Sequence, residues 1–207
     1  MSIFINPLIK VVIRYPKFME TALFKKVMYV FPNMIAKRYD KSMVNRQGYD
    51  LALNEGLRCL EFESNYDGKI LDLCTGSGFA SLATADVFPK AKIIGIDQSQ
   101  KMLDLARQKA VSSNINNVEF LKDDASNLSF KDTTFDLVIV SNAPFYFNEV
   151  VKVLKPSGYF LISVSFGGKG IAQNKKRIEE YLQKYNLKVN EIKQVKDGAF
   201  IISSLEN

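Results

Sequence analysis

Lys69-Ile70-Leu71-Asp72-Leu73-Cys74-Thr75-Gly76-Ser77-Gly78-Phe79-Ala80 is the stretch on which the fold turns. An apolar run ends in an acid, a turn of small residues with two glycines follows, and a helical pattern opens behind it. This reads as a parallel strand delivering its carboxyl end to a ligand. The glycines let backbone and ligand approach closely, and the first helical turn offers unpaired N–H groups. Alone, the pattern suits several nucleotides. The segments that follow choose among them.

A second strand, Lys92-Ile93-Ile94-Gly95-Ile96-Asp97, also ends in an acid, nineteen residues beyond Gly78. A carboxylate there can accept two hydrogen bonds from ribose hydroxyls. A third run, Val118-Glu119-Phe120-Leu121-Lys122-Asp123-Asp124-Ala125, again closes on acids, and Phe135-Asp136-Leu137-Val138-Ile139-Val140 is a fourth strand. A helix closed by Val153-Leu154-Lys155-Pro156-Ser157-Gly158 then leads into a fifth strand, Tyr159-Phe160-Leu161-Ile162-Ser163-Val164. A helix is expected from about Gln173 to Lys184, then strand-like runs at 189–195 and 199–203 flanking Asp197-Gly198. Asp-Gly between two such runs is a hairpin signal, because both residues tolerate positive φ.

The bulk properties narrow the chemistry. The 207 residues, 47% apolar and 24% charged, suit one domain with a full core. Two cysteines, Cys59 and Cys74, argue against a disulfide framework and for a reducing, cytoplasmic setting. No histidine occurs, which removes the commonest general base and the commonest metal ligand. No metal site is expected. The net charge of +6 is uneven: residues 1–46 carry nine Lys/Arg against Glu20 and Asp40, and the remainder carries 19 basic against 20 acidic residues. The basic character therefore belongs to the N-terminal segment.

The ordered series of strands and acids resembles the class I S-adenosylmethionine-dependent methyltransferases, specifically the small-molecule branch of the methyltransferase type 11/25 kind, over about residues 68–207. The resemblance implies an α/β, Rossmann-like seven-stranded sheet, with strands one to five parallel and a C-terminal antiparallel hairpin. Residues 1–62 would form an N-terminal helical lid and residues 63–207 the cofactor-binding domain. S-adenosylmethionine is the implied cofactor. Asp72 and the loop carrying Cys74, Thr75, Gly76 and Gly78 would face its amino acid end and the ribose–sulfur junction. Cys74 stands where the family usually has glycine. Asp97, with Gln98 beside it, would take the ribose diol; the competing reading is a solvated helix N-cap, a place Ser99 could also fill.

Met102 resembles the family position lining the adenine, with an ordinary core methionine as the alternative. Asp124 and Ala125 align with the acid and backbone N–H that read the adenine edge, and Asp124 is preferred to Asp123 because 124–130 matches Asp-Ala-x-x-Leu-Pro-Phe. An exposed acidic turn is the alternative there. In Ser141-Asn142-Ala143-Pro144-Phe145-Tyr146-Phe147, two readings compete. One is a cofactor contact at Asn142 with Phe145 and Tyr146 as walls of the substrate pocket. The other is the Asn-Pro-Pro-Tyr/Phe loop of methyltransferases acting on nitrogens of nucleic acid or protein, though Ala143 replaces its first proline. Methyl transfer is an in-line displacement that needs no assigned base, and no catalytic residue is identified.

A nicotinamide-dependent oxidoreductase is disfavoured by the missing third glycine, the acid at strand three and the terminal hairpin. A module that binds the cofactor without turnover remains an alternative. Upstream, a helix is expected between Pro16 and Pro32, and another over about Gly48 to Phe62 with Leu51, Leu53, Leu57 and Leu60 on its buried side. Tyr39-Asp40 resembles a Tyr-Asp pair of the family's lid, and Tyr39 is a substrate-pocket candidate. Residues 1–35 carry two readings: a basic, apolar segment making peripheral contact with an anionic membrane or a partner, or a lid packed on the domain with solvated lysines. Nucleic acid is disfavoured because the charge sits at one end. The acceptor, the methylated atom and the oligomeric state are not legible in the sequence.

Overall fold

Ile70, Leu71 and Leu73 are all fully buried, so the first strand carries apolar side chains on both faces and must lie inside a covered sheet. In the computed structural model, which describes Thr21 and residues 48–63 and 65–206, it does. The strands are β1 (Lys69–Leu73), β2 (Lys92–Asp97), β3 (Val118–Lys122), β4 (Phe135–Ser141), β5 (Leu154–Val164), β6 (Leu187–Val195) and β7 (Gly198–Leu205). They form one sheet in the order β3-β2-β1-β4-β5-β7-β6. β1 to β5 run parallel, while β7 is antiparallel to both β5 and β6. The order reverses between β1 and β4. A crevice outside the carboxyl ends of strands at such a switch point is where open α/β sheets bind ligands.

Helices cover both faces. On one, α1 (Leu51–Arg58) and α2 (Phe79–Val87) bury Leu53, Leu57, Ala80 and Ala85 against Ile70, Ile93, Leu137, Ile139, Leu161 and Phe200. α3 (Gln100–Ser112) packs Leu103, Ala106 and Ala110 on Phe120. On the other face, α4 (Phe147–Val153), α5 (Gly168–Gln173) and α6 (Lys175–Gln183) bury Val150, Val153, Ile171, Ile178 and Leu182 against Leu71, Leu73, Val138, Val140 and Phe160.

The helix expected from about Gln173 to Lys184 is α6, separated from α5 at Asn174, whose φ of −116° leaves the helical range. Three local expectations change. The hairpin turn is Lys196-Asp197 rather than Asp197-Gly198: Val195 pairs with Gly198, and the positive φ (50°) falls on Lys196. Gly198 instead opens β7, where a Cβ would stand 2.5 Å from the Val164 carbonyl oxygen. β5 starts earlier than expected, at Leu154, and bulges between Leu154 and Tyr159, where Ser157 holds φ 61°. Leu51 is only partly buried, although Leu53, Leu57 and Leu60 are buried as expected. Apart from Thr21, the helix between Pro16 and Pro32, the Tyr39-Asp40 pair and residues 1–35 lie outside the described residues. Among the described residues, no helix is long and apolar enough to cross a membrane.

Candidate functional site

Asp72 is the penultimate residue of β1 and is 1% exposed. Its Oδ2 accepts hydrogen bonds from Thr75 Oγ1 at 2.6 Å and Ser81 Oγ at 2.7 Å, and these two hydroxyl oxygens lie 2.9 Å apart. Burial pushes the carboxyl up to about 6, against the two hydroxyls, which favour its charged form. No cation among the described residues offsets that desolvation. Gly95 pairs with Asp72 across β1 and β2, and a Cβ there would stand 2.6 Å from Ser81 Oγ. The bare glycine leaves the space through which the Ser81 hydroxyl reaches Asp72.

The loop after β1 is held from β2. Thr75 N–H donates to the Ile96 carbonyl at 2.8 Å, and Gly76 N–H donates to Asp97 Oδ2 at 3.0 Å. Asp97 Oδ1 accepts from Ser99 N–H at 2.8 Å. The helix N-cap is therefore Ser99, whose Oγ accepts from Met102 N–H, and Asp97 sits before it, 8% exposed. Burial raises the Asp97 carboxyl, opposed by the backbone N–H groups of Ser99, Gly76 and Gln98. Cys74 adopts φ 55°, the left-handed region in which glycine is unstrained. Its Sγ donates to the Pro144 carbonyl at 3.7 Å. Burial pushes the thiol up, and the charges of Asp97, Asp72 and Asp124 add to that.

After β3, Asp123 and Asp124 divide the work. Asp123 Oδ1 accepts from Asp124 N–H, and its Oδ2 accepts from the N–H and hydroxyl of Ser129. Asp124 Oδ1 accepts only from Ser126 N–H, and its Oδ2 accepts no hydrogen bond among the described residues. Asp123 is thus spent on the turn, while Asp124 keeps acceptor capacity. Ala125 is buried beside Leu128.

A cleft of about 50 Å³ lies at the carboxyl ends of β1 and β4, lined by Tyr49, Asp72, Cys74, Thr75, Gly76, Ser77, Phe79, Ala80, Ser141, Asn142 and Ala143; Asp97, Gln98, Met102, Asp124 and Ala125 are not among the residues that line it. A Cβ on Gly76 would meet nothing within 4 Å, so this turn opens onto free space. Gly78 looks the other way: a Cβ there would stand 2.8 Å from the Ala106 Cβ, so it sets the packing of α2 on α3. Asn142 lines the cleft at φ 55°, yet its carboxamide is engaged by Ser165. Gln98 is half-buried beside Asp97, and Met102 is buried at the first turn of α3. Phe145 does not line the cleft: it packs edge-on against Phe147 and Phe160, with ring centroids 4.9 and 5.3 Å away. Tyr146 is half-buried against the same core. Tyr39 lies outside the described residues.

Sequence reasoning missed Tyr49, Ser81, Ser141 and Ser165. Tyr49 is 3% exposed, its ring edge-on to Phe79 at 4.9 Å. Ser81 had a signal, since it falls in the first turn of the helix behind the glycine turn. Tyr49 and Ser165 are brought in by tertiary packing and had none.

Comparison with known proteins adds a family. A model described as a methyltransferase domain matches residues 64–202. The chain is 32% identical over 154 residues to a demethylmenaquinone methyltransferase of Lactococcus lactis, covering 70% of this chain and 60% of that protein. It is 32% identical over 147 residues to a release factor glutamine methyltransferase of Thermodesulfovibrio yellowstonii, covering 70% and 52%. The chain thus spans little more than half the length of the curated relatives it matches. In fold it resembles the crystal structure of a SAM-dependent methyltransferase from Aquifex aeolicus, with a TM-score of 0.65 at 21% identity, covering 84% of this chain and 98% of that one.

Proposed function

Because the chain belongs to the class I S-adenosylmethionine-dependent methyltransferases, we propose that it binds S-adenosylmethionine in the cleft between β1 and β4 and transfers the methyl group to a small-molecule acceptor. The observation that carries this reading is that Asp72 and Asp97 both bond to one glycine turn, through Thr75 Oγ1 and Gly76 N–H, and that Gly76 faces open space. The chemistry of the donor set fits the cofactor. Asp72, desolvated and lacking a counter-cation among the described residues, suits the ammonium of an amino acid. Asp97, fixed by backbone N–H groups, presents acceptors for a ribose diol. Asp124 retains an oxygen for the adenine amino group.

When bound, the cofactor supplies an electrophilic methyl on a positively charged sulfonium. The chain's own contribution is to orient and to exclude water. Thr75 and Ser81 hold Asp72 in one rotamer, so its charge is preorganised. Tyr49 and Phe79 wall the cleft with aromatic surface, a setting that favours a desolvated nucleophile. The small-molecule reading draws support from Asn142. A loop that grips a planar amino group needs a free carboxamide, and here both of its polar atoms are engaged by Ser165. The demethylmenaquinone relative points in the same direction, while the release factor glutamine methyltransferase relative, at equal identity, points to the alternative.

The test is transfer of labelled methyl from S-adenosylmethionine to parallel pools of small phenolic and lipid-like acceptors, polypeptide and nucleic acid. Label in the organic-extractable pool is expected. Label confined to polypeptide or nucleic acid would overturn the acceptor class.

A further inference from the structure

Glu149 and Lys152, one helical turn apart on α4, both reach off their helix to a single residue of another segment. Leu128 N–H donates to Glu149 Oε2 at 2.8 Å. Lys152 Nζ donates to the same Oε2 at 2.7 Å and to the Leu128 carbonyl at 3.1 Å. Their side chains are 19% and 31% exposed, and Leu128 is 4% exposed. A solvated pair at this spacing would contribute little. This one is largely withdrawn from water and makes charge-assisted bonds to both polar groups of one residue's backbone.

Leu128 ends the turn that begins at Asp124. Inside it, Asp124 Oδ1 accepts from Ser126 N–H at 2.8 Å and the Asp124 carbonyl accepts from Asn127 N–H at 2.9 Å. The turn is therefore pinned at its start by its own hydrogen bonds and at its end by α4. That helix begins directly after the segment carrying Ser141, Asn142 and Ala143 along the cleft. Resting on the cofactor reading above, we propose that Glu149 and Lys152 are positioning residues: they hold the 124–128 turn so that Asp124 meets the exocyclic amine of the cofactor's base. They also tie that turn to the acceptor side of the cleft. Neither residue touches the cofactor.

The test is calorimetric titration of the full chain and its E149A, E149Q and K152M variants with S-adenosylhomocysteine and with S-inosylhomocysteine, which carries oxygen in place of the exocyclic amine. Wild type should prefer the adenosyl compound. E149A strips Leu128 N–H of its acceptor and should weaken adenosyl binding about tenfold, the equivalent of one charge-assisted hydrogen bond, while moving inosyl binding less. E149Q keeps an acceptor for Leu128 N–H and should restore most of the preference. Where E149A fails to fold, K152M, which removes only the second arm, should still lower the adenosyl-to-inosyl ratio. An unchanged ratio in the folded variants, whether both ligands weaken equally or neither does, would reduce the pair to scaffolding and overturn the proposal while leaving the cofactor assignment standing. A folded wild type that binds neither compound would overturn both.

Discussion

Ser165 takes up both polar atoms of the Asn142 carboxamide: its N–H donates to Asn142 Oδ1 at 2.8 Å, and its Oγ accepts from Asn142 Nδ2 at 2.9 Å. The same hydroxyl donates to the Tyr49 carbonyl at 2.5 Å. One serine thereby joins the ends of β4 and β5 to the residue that leads into α1. Replacing it with alanine leaves the Tyr49 carbonyl without that donor and Asn142 Nδ2 with only its longer bond to Ser141, at 3.3 Å, while the backbone N–H bond to Asn142 Oδ1 remains. Ser165→Ala should therefore lower the unfolding free energy by about 1–2 kcal/mol, read by urea denaturation. An unchanged midpoint and slope would show the network to be idle.

Asp72 gives a pH dependence with a definite sign. Its carboxyl lies at about 6 when folded, above the ordinary value of 3.8 that it regains on unfolding. Between these values the native state holds more protons than the unfolded one, so this group's contribution to stability falls as pH rises through the window. Asp72→Asn keeps an oxygen for Thr75 and Ser81 but carries no charge. At pH 8 it should be the more stable protein, by up to about 3 kcal/mol, and the difference should vanish near pH 4. Its affinity for S-adenosylmethionine should fall sharply, and wild-type affinity should itself decline as pH is lowered through 6. Denaturant curves and titrations at these pH values read both. A variant that is less stable at every pH would refute the burial argument.

The two glycines of the turn separate space from packing. Gly76→Ala places its methyl in the open cleft, so beyond the roughly 1–2 kcal/mol cost of a side chain at φ 56° its effect should appear in cofactor affinity. Gly78→Ala combines φ 83° with a methyl 2.8 Å from Ala106 and should destabilise the fold more strongly. Thermal melts with and without S-adenosylhomocysteine distinguish them. The reverse ranking would mean that the turn faces the other way.

Much of the fold was legible in the chain because parallel strands buried on both faces write themselves as continuous apolar runs, and each of the five ends at or next to a polar residue. Asp72, Asp97 and Asp124 were candidates from their places at these strand ends. The choice of Asp124 over Asp123 rested on a resemblance, and its physical ground is that Asp123 is consumed by Ser129. What could not be read depends on register across the sheet. Ser81 reaches Asp72 only because Gly95 pairs opposite it. Ser165 meets Tyr49 across 116 residues of sequence, and Glu149 meets a backbone N–H whose side chain is irrelevant. Phe145 packs on Phe147 and Phe160, and the sequence does not say on which side of β4 the chain turns.

A glycine substitute carries a further prediction. Cys74 stands where the family usually has glycine and holds positive φ, at 55°. Cys74→Gly should fold at least as stably as wild type, since about 1–2 kcal/mol of left-handed strain is relieved against the entropy of a more flexible unfolded chain. It should also keep its cofactor affinity. A melting temperature markedly below wild type would show that the sulfur contact to Pro144 outweighs the strain.

The most direct measurement is calorimetric titration of the purified chain and its Asp97→Ala variant with S-adenosylmethionine, S-adenosylhomocysteine and NADH in parallel. Saturable binding of both sulfur compounds by the wild type, none of NADH, and loss of affinity in the variant are expected. A folded wild type that takes up NADH, or neither sulfur compound, would contradict the assignment of this cleft.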